Sequence, residues 1–241
     1  ARSNLKRVYL ELGGKSPNIV FADAPDLDEV ATISAHGIFR NSGQVCIAGT
    51  RLLVERRIHD ALVPKLAAVA QAMKLGDPLD PATMAGAINS ERQLAQNLRF
   101  VEEAQAAGGR VVTGGARILQ ETGGYFMAPT IVADVRPGDA LAQHEVFGPV
   151  LAVIPFDTED EAVAIANGTD YGLAAAVWTS NLSRAHRMVR RIKAGIVHVN
   201  TYGGSDLTVP LGGVKQSGNG HDKSLHAFDK FLDLKTAWIK L

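Results

Sequence analysis

Strand patterns and helix patterns alternate along most of this 241-residue chain. Short β-branched or apolar runs are separated by segments in which apolar residues recur every three or four positions, as they do on one face of a helix. Such alternation is typical of α/β folds, so the sequence predicts a twisted, largely parallel sheet flanked by helices. The predicted strands are residues 8–12, 19–21, 51–55, 111–112, 130–135, 150–155, 174–179, 196–199 and 236–241, and the predicted helices begin after Asp26 and span residues 58–73, 91–107, 162–167 and 183–193.

Charge and cysteine content narrow the classes of function. Lys plus Arg and Asp plus Glu each number 25, so the formal net charge is zero. This balance gives no general attraction to nucleic acid or to an anionic membrane surface, and neither is an expected partner. The single cysteine excludes an internal disulfide framework and a zinc site built from several cysteines. The histidines lack the spacing of a metal-binding helix, so no metal is expected.

The single cysteine, Cys46, lies between Gly43 and Gly49 in a stretch without helix or strand periodicity. A lone cysteine is more often a small buried apolar residue than a nucleophile. The alternative is a thiol nucleophile at a helix–strand junction, because the flanking glycines would let backbone N–H groups approach a reacting carbonyl oxygen. Such a thiol needs N–H dipoles or a base that lowers its pKa. The residues alone leave both interpretations open.

Glu11 is one carboxylate in an apolar strand pattern that ends at Gly13 and Gly14. A solvent-facing strand glutamate is one interpretation. The other is a carboxylate in a dry cleft, where a raised pKa would suit it to activating water. The following Lys15 and Ser16 do not complete a phosphate-binding loop, because the required earlier glycine is replaced by Tyr9.

A second carboxylate, Glu145, stands two residues before Phe147, and Gly148 and Pro149 close the segment. Phe147 alone would be interpreted as a core residue. The combination could instead bind a ribose through the carboxylate and stack an aromatic ring against a ligand.

Five ordered motifs together resemble the aldehyde dehydrogenase superfamily over nearly the whole chain. They are residues 10–17 (LELGGKSP), 43–46 (GQVC), 145–150 (EVFGPV), 171–174 (YGLA) and 212–218 (GGVKQSG). Several motifs in matching order are far more specific than any one of them. Residues 183–188 and 217–227 further resemble the γ-glutamyl-γ-aminobutyraldehyde dehydrogenases of putrescine breakdown.

The resemblance implies a role for each candidate residue. Cys46 matches the nucleophile that forms a thiohemiacetal and then a thioester, and its backbone N–H would supply half of the oxyanion hole. Glu11 matches the base that activates the hydrolytic water. Glu145 matches the residue that binds the nicotinamide ribose, with Phe147 beside it, and Leu12 is assigned to the same cofactor site. The implied activity is NAD- or NADP-dependent oxidation of an aldehyde to a carboxylic acid.

The resemblance also implies that most of the Rossmann-type cofactor domain, which normally precedes the Glu11 motif, is missing from this sequence. Residues 1–13 are interpreted as the last strand of that domain, residues 14–216 as the catalytic domain, and residues 217–241 as a return segment with an oligomerisation strand. A homodimer or homotetramer is expected. The isolated chain is expected to be inactive, since residues that bind the pyrophosphate and choose NAD or NADP belong to the missing part.

Two other functions stay open at this point. The chain could be a non-catalytic oligomerisation module, or it could be a thiol esterase that uses Cys46 without a nucleotide. A single, reactive thiol and the lack of an apolar signal core favour the reducing cytoplasm as the location.

Overall fold

The computed structural model describes residues 2–204 and 206–241. Its centre is a seven-stranded sheet in the order β10-β9-β2-β3-β8-β7-β4, in which every neighbouring pair is parallel except β4 with β7. The predicted α/β class and largely parallel sheet are therefore confirmed. The strands of this sheet are β2 (Pro17–Val20), β3 (Arg51–Glu55), β4 (Arg110–Thr113), β7 (Thr130–Ala133), β8 (Val150–Phe156), β9 (Ala174–Trp178) and β10 (Ile196–Val199).

Within the described ranges, six α-helices connect and cover these strands. The sheet buries both faces, because alternate residues of each strand point into two separate apolar cores. Helices α1 and α2 pack on one face, and α3, α5 and α6 pack on the other. The helices are α1 (Leu27–Phe39), α2 (Arg56–Ala72), α3 (Glu91–Ala106), α4 (Ala140–Gln143), α5 (Glu159–Asn167) and α6 (Leu182–Arg191). Within the described residues, none of them combines the length and the apolar run needed to cross a lipid bilayer.

Side-chain caps fix where several helices begin. The Asp26 carboxylate accepts hydrogen bonds from the N–H groups of Asp28 and Glu29, as predicted. Thr158 caps α5 through the N–H of Glu161, also as predicted, but α5 begins at Glu159, three residues before the predicted start. The Glu161 carboxylate accepts from the N–H of Asp157 and not from that of Thr158, so the predicted capping box closes one residue earlier.

Two small antiparallel ribbons lie outside the main sheet. One pairs β5 (Arg117–Ile118) with β6 (Phe126–Met127). The other pairs β1 (Leu10–Glu11) with β11 (Gly218–Asn219), and the predicted strand 8–12 is thereby shortened to two residues. We call this second pair the Glu11 ribbon. Its β1 strand lies on the surface, and the chain crosses Gly13 and Gly14 before it enters the buried strand β2.

The predicted final strand over residues 236–241 does not form within this single chain. Residues 232–241 contain no strand or helix, and their side chains are exposed, with Trp238 94% exposed. A strand forms only when its N–H and C=O groups pair with a neighbour, and no strand within residues 2–204 and 206–241 lies alongside this segment.

Candidate active site

The motif segments converge because they precede neighbouring parallel strands. Residues 10–17, 43–46, 145–150 and 171–174 lead into β2, β3, β8 and β9, which are adjacent in the sheet. Parallel neighbours begin at the same edge, so the loops that precede them meet there. The register aligns Pro17 with Arg51 and Arg51 with Ala152, which places these loops side by side at the amino edge of the sheet.

The Cys46 loop, residues 40–50, connects α1 to β3 and is held tightly. Asn41, Ser42 and Gly43 have φ values of +52°, +54° and +69°, a left-handed run that side chains other than glycine rarely adopt. The Ser42 hydroxyl donates to the Gly86 carbonyl at 2.6 Å. Gly43 touches the backbone at Gly148, where an added Cβ would collide. The loop is therefore anchored on two other segments as well as on α1.

The Cys46 thiol is free and half-buried, with the backbone N–H groups of Cys46 and Ile47 directed at it. These N–H dipoles lower its pKa, but burial outweighs them, and the carboxylates of Glu11 and Glu145 add to the increase. The net pKa is raised above the ordinary value for cysteine. The predicted dipoles are present, whereas the lowered pKa that a nucleophilic thiol was expected to have is not found in this chain.

Glycines 13 and 14 bring the second carboxylate and the thiol loop together. Glu145 Oε1 accepts a hydrogen bond from the Gly14 N–H at 3.0 Å. A Cβ at Gly13 would collide with the Glu145 carboxylate, and one at Gly14 would collide with the backbone oxygen of Cys46. Only residues without a side chain permit this packing. Burial raises the pKa of Glu145, and the Gly14 N–H and Lys15 oppose that increase.

Glu11 reaches the site from the Glu11 ribbon, which is an exposed element. Its charge affects the pKa of Cys46, so the two groups lie within electrostatic range. Desolvation raises the pKa of Glu11 itself, and Lys230 and His221 lower it. The residue is nevertheless exposed in this chain, so the expectation of a dry cleft is wrong for the described residues. The raised pKa agrees with the predicted direction.

The remaining predicted cofactor residues lie close to these groups in the chain and are accessible. Phe147 is 37% exposed and has a φ of +56°, a strained conformation for an aromatic residue. Leu12 is exposed, and its N–H donates to the Ser217 carbonyl at 3.1 Å. Nothing in the fold buries either side chain as a core residue. Both are therefore available to a ligand.

The sequence interpretation missed Lys15, which follows Gly14 in the chain and interacts electrostatically with Glu145. Its side chain is 1% exposed, and Nζ has no hydrogen-bond partner in the described part of the chain. Burial, helped by the positive charge of Arg51, lowers the pKa of Lys15 to about 7, while Glu145 opposes the shift. Arg51 is also buried, but it donates to the carbonyls of Lys15 and Ile165. The sequence feature that could have revealed this residue is a single lysine placed between a double glycine and a strand that is predicted to be buried.

The sequence interpretation also missed Tyr202. Its ring packs against Gly37 and Gly49, and its hydroxyl donates to the Ile47 carbonyl at 2.6 Å. This bond fixes the carbonyl of Ile47, the residue that follows Cys46. Burial raises the pKa of the Tyr202 hydroxyl, so it remains a hydrogen-bond donor across the physiological pH range.

A cavity of about 540 Å³ opens beside this loop. Val45 and Ile47, the neighbours of Cys46, form one wall, and Tyr202 forms part of another. The third wall is one face of α1, including Ile33, together with Arg40, the residue that follows the helix. Half-buried apolar side chains next to a thiol are suited to hold the body of a small molecule.

The residues at this edge fit the nicotinamide-ribose end of NAD or NADP. Glu145 Oε1 is fixed by Gly14, and Oε2 has no partner among the described residues, so it can accept from a ribose hydroxyl. The Phe147 ring lies two residues away with part of its surface exposed. Within residues 2–204 and 206–241, no group of three or more His, Cys, Asp or Glu could hold a metal ion.

Comparisons with known proteins identify the class to which this fold and site belong. The aldehyde dehydrogenase family model matches residues 1–237. The NADP/NAD-dependent aldehyde dehydrogenase PuuC of Escherichia coli K12 is 53% identical over 239 residues, which are 99% of this chain and 48% of that protein. A betaine aldehyde dehydrogenase of Cereibacter sphaeroides is 44% identical over 99% of this chain and 49% of its own length.

Solved structures agree. An indole-3-acetaldehyde dehydrogenase in complex with NAD⁺ superposes with a TM-score of 0.97 at 56% identity, covering 100% of this chain and 48% of that one. The γ-glutamyl-γ-aminobutyraldehyde dehydrogenase of Burkholderia cenocepacia J2315 gives 0.92 at 57% identity, covering 95% and 46%. The chain belongs to the aldehyde dehydrogenase family, and the predicted similarity to γ-glutamyl-γ-aminobutyraldehyde dehydrogenases is confirmed. It spans about half the length of the curated relatives it matches.

Proposed function

We propose that this chain supplies the thiol and the base for oxidation of an aldehyde to a carboxylic acid, with NAD or NADP as the hydride acceptor. The observation that carries the proposal is the Cys46 thiol, which is free and half-buried and lies within electrostatic range of Glu11 and close to the backbone N–H groups of Cys46 and Ile47. A thiol and a separate carboxylate suit a reaction in which one group bonds to carbon and the other activates water.

In the first step, Cys46 Sγ attacks the carbonyl carbon of the aldehyde. A C–S bond forms, the oxygen gains a proton, and the product is a thiohemiacetal. The N–H of Cys46 is directed at the thiol and can donate to the oxygen as negative charge develops on it. The hydride of this carbon would pass to a bound NAD or NADP, the oxygen would lose its proton to solvent as the C=O bond re-forms, and a thioester on Cys46 would remain.

In the second step, Glu11 removes a proton from water, which then attacks the thioester carbon. The C–S bond breaks, the thiolate leaves, and the carboxylic acid is released. Burial raises the pKa of Glu11 toward neutrality, which makes it a stronger base than an ordinary carboxylate. The rate of thioester hydrolysis should therefore fall as pH drops through this raised pKa.

Glu145, Phe147 and Leu12 are proposed to contact the nicotinamide end of the cofactor. Glu145 would accept from ribose hydroxyls, and the two accessible apolar side chains would border the ring. The proposed substrate is γ-glutamyl-γ-aminobutyraldehyde, by similarity to the Burkholderia cenocepacia enzyme of that name. The proposed location is the cytoplasm, where a free thiol stays reduced.

The proposal includes a homodimer or homotetramer. The last ten residues expose several large apolar side chains: Leu232, Leu234, Trp238, Ile239 and Leu241. An extended, apolar segment without a strand partner of its own can add to the sheet edge of a second copy. The boundaries 1–13, 14–216 and 217–241 remain a proposed division between cofactor-linked, catalytic and assembly segments.

The decisive experiment measures reduction of NAD or NADP by aldehydes. The chain is expressed together with any sequence that precedes it in its gene, and Cys46→Ala is compared with the parent. Alanine fits the space of a small thiol, so the fold should persist while oxidation falls by about 10⁴-fold or more. A Cys46→Ala variant that keeps the parent's rate would overturn the proposal.

The two alternative functions have their own readouts. Hydrolysis of an activated ester without nucleotide, lost when Cys46 is alkylated, would support a thiol esterase. Calorimetry of NAD with the isolated 241-residue chain tests the expected inactivity of that chain. Tight NAD binding to it would contradict the need for residues beyond those in this sequence. No aldehyde oxidation in any form that contains the chain would favour a non-catalytic module.

A further inference from the structure

The cavity beside Cys46 has an uneven distribution of charge. One face of α1 carries Ile33, His36 and Gly37, and Arg40, the first residue after the helix, continues the same spacing of three and four residues. The opposite face of α1 packs into the core. The other cavity walls are the Cys46 loop and residues 201–204. Among the described residues that line it, none is Asp or Glu.

The positive charge of Arg40 is not paired with a carboxylate among the described residues of this cavity. Arg40 lies at the end of α1, where its backbone N–H bonds to the His36 carbonyl. Its side chain is exposed and makes no hydrogen bond or ion pair to the described residues. Many other arginines of the chain, such as Arg56 and Arg187, hold a carboxylate at 2.7 Å. A guanidinium without a carboxylate partner beside a largely apolar cavity is suited to bind the carboxylate of a ligand with two parallel hydrogen bonds.

We propose that Arg40, assisted by His36, makes this cavity selective for aldehydes that carry a carboxylate at the end remote from the reacting carbon. This inference rests on the proposed function, because it assigns the cavity to the substrate of Cys46. The aldehyde carbon would meet Cys46 between Val45 and Ile47, and the carboxylate would lie toward Arg40. The preferred substrates are then ω-oxo acids, and their oxidation products are dicarboxylic acids.

The direct test compares two substrates, 5-oxopentanoate and hexanal, an uncharged aldehyde of similar length. The protein used is the full gene product that includes this chain. The ratio of the two substrates' kcat/KM values is measured for the parent, Arg40→Gln and Arg40→Lys. We expect Arg40→Gln to lower the ratio about tenfold, mainly through KM, since one charge-assisted contact is lost. Arg40→Lys should keep part of the parent's ratio, because the positive charge remains. Arg99→Gln, an exposed arginine of α3 on the opposite face of the sheet, should leave the ratio unchanged.

Two further arms make the test specific for charge. Arg40→Glu should reverse the preference and improve the use of betaine aldehyde, which is a cation. The parent's preference for 5-oxopentanoate should also weaken at high ionic strength, because Arg40 is exposed and its field is screened by salt.

The outcomes separate this inference from the proposed function. If the parent oxidises both aldehydes but Arg40→Gln and Arg40→Glu leave the ratio unchanged, the charge selectivity is wrong and the aldehyde oxidation stands. If the parent oxidises no aldehyde at all, the proposed function itself is overturned and this inference with it.

Discussion

The two residues proposed for the reaction are held by very different parts of the molecule. Cys46 lies in a loop anchored between α1 and β3, with contacts to Gly14, Gly86 and Gly148. Glu11 lies in a two-residue strand outside the main sheet. The nucleophile is therefore positioned by the core of the fold, whereas the base is positioned by a ribbon that packs on the surface.

The Glu11 ribbon depends on a few polar contacts with the C-terminal segment. Asn219 accepts from the Leu10 N–H at 3.1 Å and donates to the Val8 carbonyl at 3.0 Å. Arg7 pairs with Asp233 at 2.6 Å in an exposed ion pair, which contributes little. Val8, Leu10 and Leu12 remain exposed. Exposed apolar side chains on a strand are normally covered by other protein surface. Glu11 is therefore less firmly positioned by the described residues than Cys46 is.

The largest expected effect comes from two glycine substitutions, one of which should destabilise the Cys46 loop and the other the Glu11 ribbon. An added Cβ at Gly14 would meet the backbone of Cys46, and one at Gly218 would meet the backbone of Leu10. We expect Gly14→Ala to reduce the free energy of unfolding by about 4 kcal/mol, since buried backbone must move. Gly218→Ala should release the ribbon with little effect on global unfolding.

Urea unfolding and hydrogen exchange distinguish these outcomes. Exchange in Gly218→Ala should rise around residues 8–12 and 217–220 and stay low around residues 40–50. Equal destabilisation by both substitutions, or protection lost in both regions at once, would mean that the two regions form one cooperative unit.

A smaller effect should come from Lys15, which belongs to the buried region. Its pKa is lowered to about 7 in the folded state, against an ordinary value near 10.5. The unfolded chain therefore binds the proton more tightly between these two values, and the free energy of unfolding should rise with pH across that window. We expect Lys15→Met to remove about 2 kcal/mol of this rise.

The control is Lys193→Met, at an exposed position, which should keep the parent's dependence on pH. The measurement is urea unfolding at several pH values from 6.5 to about 10.5, the window set by the two pKa values. A Lys15→Met variant whose stability rises with pH as steeply as that of the parent would show that Lys15 is not a buried, uncompensated amine.

Much of this arrangement could be predicted from local patterns. The buried strands, the Asp26 cap and most helix boundaries followed from periodicity and capping residues. The roles of Cys46 and Glu11 were suggested by motifs, whose convergence follows from parallel neighbours beginning at one edge. The raised pKa of Cys46 could not be predicted, because it depends on burial and on carboxylates distant in sequence.

Other features required the assembled structure. The exposure of Glu11 depends on where β1 pairs, and the apolar alternation of residues 8–12 does not specify a partner. The buried Lys15 amine depends on packing and on groups distant in sequence, such as Arg51 and Glu145. The C-terminal residues 236–241 have a strand-like pattern without a strand beside them, since pairing is a property of neighbours and not of the segment itself.

In the proposed reaction, Cys46 bonds to the substrate carbon, and Glu11 activates the water that hydrolyses the resulting thioester. Glu11→Gln should therefore stop the reaction after the first half, with one equivalent of reduced cofactor formed per site. Intact-mass analysis with peptide mapping should then find Cys46 heavier by the aldehyde less two hydrogens. Full turnover by Glu11→Gln without any adduct, or an adduct on another residue, would contradict the account.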